Sequence, residues 1–109
     1  MPIEDLGEQI SPGVFYLRIY NAGGVRVDRF IVKPGTTVPF HGNAANSGYK
    51  LVACTRLKFL SLTEDGRISE YRRMEPGEQL IRPAGFRHTL VNTSDEDFVV
   101  LKMWPWPPE

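Results

Sequence analysis

His41 and His88 are the only histidines in the chain, and imidazole is the side chain best suited to moving protons near neutral pH. With an unperturbed pKa of ~6.5, a histidine takes up a proton in one step and returns it in another. Epimerisation, tautomerisation, cyclisation and lyase chemistry beside a carbonyl all require this. Taken singly, each also reads as an ordinary core or surface histidine with a satisfied hydrogen bond. What distinguishes the two is spacing, because each follows a turn glycine, Gly35 or Gly77, at a distance that sets which way its ring points. Arg18, Arg29, Arg56 and Arg82 stand in strand-like segments, where an inward guanidinium clamps a carboxylate through two hydrogen bonds and an outward one is simply solvated. Arg82 is the one singled out as a ligand contact. Tyr16, Tyr20, Tyr49 and Tyr71 carry phenols that pack in strands more often than they donate protons. Cys54, the single cysteine, reads as a small buried hydrophobe, and Lys50 as reaching solvent.

Such groups need a rigid frame, and the apolar pattern supplies strands. Alternating or short apolar runs at Val14–Tyr20, Val25–Val32, Tyr49–Cys54, Leu57–Leu62, Gln79–Arg82, His88–Val91 and Phe98–Trp104 are rich in β-branched and aromatic residues. Turn signals separate them: Pro12-Gly13, Asn21 to Gly24, Pro34-Gly35, Glu64-Asp65-Gly66, Pro76-Gly77 and Pro83-Ala84-Gly85. No long stretch keeps a helical period free of glycine or proline, so any helix is expected to be a turn near either end. The prolines after Trp104 cannot donate ladder hydrogen bonds, so the last strand is expected to stop there. Many short strands at this spacing predict an all-β sandwich, jelly roll or barrel.

At 109 residues the chain has room for one domain with one core. Thirteen basic residues balance thirteen acidic ones, which argues against a nucleic-acid or membrane-surface partner. A lone cysteine excludes an internal disulfide and fits a reducing compartment. With no basic-then-apolar leader and no apolar run near membrane-spanning length, the expected location is the cytoplasm.

From Gly77 the chain reads Gly-Glu-Gln-Leu-Ile-Arg-Pro-Ala-Gly-Phe-Arg-His-Thr-Leu-Val-Asn, ending at Asn92. This resembles the second signature of the cupin superfamily, and Gly77, Pro83, Gly85, His88 and Asn92 match its fixed positions. The first signature is only partly present. Gly35 and His41 match, whereas Asn43 stands at the second histidine, Gly48 at the glutamate and Thr55 at the closing glycine. The resemblance runs from about residue 25 to 104 and implies one double-stranded β-helix, or jelly-roll cupin barrel, spanning residues 1–109.

The resemblance also implies that His41 and His88 point inward, at positions where family members hold a metal through three histidines and a glutamate. Two of those four ligands remain, so the expected cofactor is none, or a weakly held divalent transition metal on His41 and His88. Strand alternation then puts Asn43 beside His41, and Phe86, Leu90 and Asn92 on the face of His88. Asn92 reads as a structural residue at the turn that follows it. Asn43, Phe86, Leu90 and Arg82 are the expected ligand contacts. The loop Gly42–Gly48 replaces the metal-binding segment with small residues and two amides at the presumed pocket mouth.

Three functions stay open. The first is an enzyme of isomerase, epimerase, cyclase or lyase type, acting without redox on a small organic acid, sugar or biosynthetic intermediate, with His41 and His88 as its catalytic acid and base. The second is a non-catalytic barrel that binds a small molecule. The third is a two-histidine metal-dependent cupin such as a dioxygenase. Pairing through a sheet edge under the Trp104–Trp106 tail predicts a homodimer.

Overall fold

The computed structural model describes residues 6–42, 47–53, 57–75 and 77–104. Ten strands follow in order: β1 (Glu8–Ser11), β2 (Val14–Ala22), β3 (Val25–Val32), β4 (Thr37–Gly42), β5 (Ser47–Ala53), β6 (Leu57–Leu62), β7 (Ile68–Met74), β8 (Gln79–Arg82), β9 (Arg87–Asn92) and β10 (Phe98–Trp104). All seven expected strands are present, and β10 runs to Trp104, the last described residue. Strands β1, β4 and β7 were not foreseen. No helix occurs among the described residues. Asn43, Cys54, Arg56 and Trp106 lie outside those residues, as do the side chains of Lys50 and Trp104.

The strands form two antiparallel sheets, one in the order β1-β2-β3-β10-β5-β8 and the other in the order β4-β9-β6-β7. Long β2 and β3 are joined by Gly23 and Gly24 alone, both at positive φ (60° and 77°), the conformation a two-residue hairpin loop demands. Alternate residues of the sheets fill the space between them: Val14, Val32, Phe98 and Val100 from one side, Phe59, Met74 and Leu90 from the other. Val14 is 1% exposed, so β2 contributes to the packed core as well.

Asn92 ties the end of β9 to the core. It is fully buried; its Nδ2 donates to the carbonyls of Val32 and Glu96, and its Oδ1 accepts from the Ser94 amide and hydroxyl. This bears out the structural reading of Asn92. Asn92→Ala would leave several buried backbone groups without partners, and is expected to cost roughly 3 kcal/mol of unfolding free energy. Urea unfolding should show this as a lower midpoint at unchanged slope.

Candidate active site

The two histidines meet across neighbouring strands. His41 on β4 is the direct register partner of His88 on β9, and their ring centroids lie 4.7 Å apart. Strict alternation from Val38, which faces the interior, would turn His41 outward. A bulge between Val38 and His41 adds one residue to β4 and reverses the phase. Pro39 sits in that bulge on an edge strand, the place where its missing N–H costs least. Its carbonyl accepts a hydrogen bond from His41 Nδ1 at 2.7 Å. Next to His41, Gly42 pairs with Arg87, and a Cβ there would come within 2.5 Å of the Phe86 carbonyl oxygen, so only glycine lets β4 and β9 close at this point.

Both rings face a cavity of about 360 Å³ between the sheets. Its walls are mainly apolar, from Val14, Phe30, Val32, Phe59, Leu90 and Val100 among others, with His41, His88, Arg82 and Lys102 as the charged or titratable groups of the described lining. An apolar cleft with a few convergent polar groups is the usual form of a small-ligand site.

His88 is 6% exposed and anchored from behind. Its Nδ1 is 2.8 Å from Ser61 Oγ, and that hydroxyl lies 3.5 Å from Glu70 Oε1. Ser61 and Glu70 are register partners on β6 and β7. Glu70 accepts in turn from both terminal nitrogens of Arg82, at 3.4 and 2.5 Å, and from Arg72 at 3.2 Å. Since β7 and β8 belong to different sheets, the Glu70–Arg82 pair clasps the barrel along that side. The Arg82 guanidinium stacks 4.3 Å over Phe86, whose ring stands edge-on to His88 at 5.0 Å.

The site residues expected from sequence are therefore distributed unevenly. His41, His88, Leu90 and Arg82 line the cavity. Phe86, expected as a ligand contact, is not in the described lining and instead supports the His88 ring from the side. Arg82 lines the cavity, and its terminal nitrogens donate to Glu70, so it also braces the carboxylate behind Ser61 and His88. Lys102, Ser61 and Glu70 were missed. Lys102 is in phase with Phe98 and Val100, both buried, so β10 directs a lysine into the core. Ser61 and Glu70 are joined only by strand register, which no local pattern reveals.

Electrostatics keep both imidazoles neutral at physiological pH. Burial, then the neighbouring His41, then Arg82 and Lys102 push the His88 pKa down to about 4, against a smaller opposing pull from Glu70. Burial lowers the pKa of His41 too, joined by Lys102 and Arg87 and opposed by the Pro39 hydrogen bond. Burial is also the largest effect on Lys102, bringing its pKa down to about 8 although Asp28 pulls it up.

With Nδ1 of each ring occupied, the two Nε2 atoms are the nitrogens available to a metal. No group of three histidine, cysteine, aspartate or glutamate side chains suited to a metal exists among the described residues. The carboxylate behind His88 is held by Arg82 and Arg72. Two imidazoles beside the cations Lys102 and Arg82 fall short of the usual three protein ligands, so the described donor set does not fit a catalytic metal centre.

No family model matches this chain, and no curated protein matches it significantly. Among solved structures it is similar to a cupin domain from Bordetella pertussis Tohama I (TM-score 0.69, 22% identity, covering 88% of this chain and 96% of that one). It is also similar to a Cupin 2 conserved barrel domain protein from Salinispora arenicola CNS-205 (TM-score 0.70, 19% identity, 95% of this chain and 85% of that one). A third is the DMSP lyase DddQ from Ruegeria pomeroyi DSS-3 (TM-score 0.66, 22% identity, 88% of this chain and 48% of that one), so the chain spans about half of the lyase. The architecture is that of the cupin double-stranded β-helix. Similarity at this level of identity defines the fold and leaves the chemistry to the site.

Proposed function

We propose that the barrel is a small enzyme catalysing non-redox proton transfer beside the carbonyl of a small molecule, with His41 as base and His88 as hydrogen-bond donor. The observation that carries this reading is the pair of neutral imidazoles, 4.7 Å apart, facing one cavity with different partners behind them. The Pro39 carbonyl accepts only, so His41 must carry its proton on Nδ1 and offer a lone pair at Nε2. Ser61 is a hydroxyl that donates or accepts. When it donates to His88 Nδ1, His88 presents an Nε2–H; when it accepts and donates onward to Glu70, His88 presents a lone pair.

In the first state His88 Nε2–H holds the substrate carbonyl oxygen while His41 Nε2 removes the proton from the adjacent carbon. A neutral imidazole is suited to this polarising role. The proton returns from His41 to the same carbon or, in an isomerisation, to another carbon of the substrate; in an elimination the bond to the leaving group breaks as the double bond forms, and the proton on His41 passes to the departing group. The lyase among the structural relatives supports such chemistry on this fold without selecting it.

Proton NMR in D2O tests the reading. Incubation with a panel of small 2-oxo and 3-oxo acids is expected to give protein-dependent loss of the C–H signal beside the carbonyl, lost in His41→Gln. Treatment with EDTA should leave the rate unchanged. Saturable binding without exchange across the panel would instead favour the binding-protein reading, and exchange abolished by EDTA would favour a metal-dependent one.

A further inference from the structure

Ser61 stands between the histidine pair and an ion pair that joins the two sheets. It is fully buried on β6, with its hydroxyl 2.8 Å from His88 Nδ1 and 3.5 Å from Glu70 Oε1. A hydroxyl has one proton to give, and both of these groups can accept it. Whichever takes it decides the form of His88, because a neutral imidazole that accepts at Nδ1 carries its own proton on Nε2.

Glu70 is the weaker competitor. Its carboxylate already accepts from Arg82 through both oxygens, with Nη2 2.5 Å from Oε1 and Nη1 3.4 Å from Oε2, and Arg72 Nη2 lies 3.2 Å from Oε2. Charge-assisted bonds of this kind are the stronger ones, and they take up the negative charge that would attract a hydroxyl. Arg82 Nη2 occupies the same Oε1 that Ser61 would reach, and 3.5 Å is at the outer limit of a hydrogen bond. The 2.8 Å to His88 Nδ1 is an ordinary length for one. Arg82 is also kept in place, since its side chain is only 11% exposed and its guanidinium stacks on Phe86.

We propose that Arg82, assisted by Arg72, occupies Glu70 so that the Ser61 proton goes to His88 Nδ1, and thereby holds His88 as a hydrogen-bond donor at Nε2. Arg82 comes from β8 of the six-stranded sheet and His88 from β9 of the four-stranded one, so the tautomer on one sheet is set from the other. Ser61, Glu70 and Arg82 are positioning residues. This deepens the proton-transfer reading and rests on it for the use made of the donor: His88 is committed to holding an oxygen acceptor before substrate arrives, which leaves proton removal to His41.

Long-range proton–nitrogen NMR of isotope-labelled protein at neutral pH separates a ring nitrogen bearing a proton from one with a lone pair. In the unmodified protein the His88 proton is expected on Nε2 by about ten to one, a ratio that one net hydrogen bond sustains. His41→Gln leaves His88 as the only histidine and assigns the signals. Arg82→Gln is expected to release Glu70, draw the Ser61 proton to it and shift the ratio about ten-fold toward Nδ1–H. Adding Glu70→Gln should restore Nε2–H, and in a Ser61→Ala background Arg82→Gln should have no effect on the ratio. Arg72→Gln, at a more exposed guanidinium, should shift the ratio in the same direction and decides the matter if Arg82→Gln does not fold. A proton mainly on Nδ1 in the unmodified protein overturns the proposal without recourse to any variant, and so does a ratio unchanged in folded Arg82→Gln or, in its place, Arg72→Gln. The deuterium-exchange assay fails or succeeds separately: an Nε2–H that responds to Arg82 but with no exchange on any carbonyl acid would retain the tautomer control and remove the proton-transfer reading, and exchange with His88 protonated on Nδ1 would do the reverse.

Discussion

His41→Gln is expected to slow solvent-deuterium exchange by ~10²–10⁴-fold, the usual contribution of a positioned general base, while leaving ligand affinity within a few-fold. Glutamine fills similar space but has no basic nitrogen. His88→Gln should cost less, because its amide still donates a hydrogen bond to the carbonyl, whereas His88→Leu removes the donor and should approach the loss seen at His41. The same assignment fixes the pH profile. The active form has neutral His41, so the rate should be flat through neutrality and fall on the acid side, with a midpoint below the ordinary histidine value because burial lowers the His41 pKa. A profile falling on the alkaline side only, or equal losses in His88→Gln and His88→Leu, would contradict these roles.

Folding stability should carry the mark of His88 as a pH dependence. Its pKa is about 4 in the folded chain against 6.5 for a histidine in water, so between those pH values the unfolded chain binds more protons than the folded one. Stability is therefore complete above pH 6.5 and is lost as the pH falls toward 4. The shift corresponds to about 3 kcal/mol. Glu70, whose carboxyl Arg82 holds below the usual value, adds its own loss only below about pH 4.5, which separates the two windows. Lys102 works in a third: its pKa is about 8 folded against 10.5 for a lysine in water, so stability should rise again between them. Urea unfolding of His88→Gln and the unmodified protein across pH 4–7 isolates the His88 contribution. Parallel curves would mean that His88 is not buried in its neutral form.

The sequence revealed strands wherever both propensity and apolar spacing pointed the same way, as in β3, β6 and β10. It concealed β1 and β7 because they are edge strands with polar, largely exposed side chains, so their pairing is with neighbours and not with a core pattern. It concealed β4 because Pro39 and Gly42 look like breakers, although here they form a bulge and a close approach. His41 and His88 were legible as positions through the signatures that run from Gly35 and Gly77, but the inward turn of His41 was not, because it depends on the bulge between Val38 and His41. Lys102 was not, since a lysine in a strand ordinarily reads as solvated, and Val99, buried beside Val100, blurs the alternation that would have given its direction. The partner of Arg82 was hidden for a related reason. Arg82 does face inward, but the glutamate that engages it is twelve residues away, on another sheet.

The two walls of the cavity belong to separate sheets. His41 and His88 stand on β4 and β9 of the four-stranded sheet, and Lys102 on β10 of the six-stranded one. Divergence in this lineage could therefore proceed wall by wall. Exchanges at Lys102 and its neighbours in β3 and β10 would alter one wall of the cavity with the imidazole pair unchanged; conversely, exchanging either histidine would leave the six-stranded wall intact.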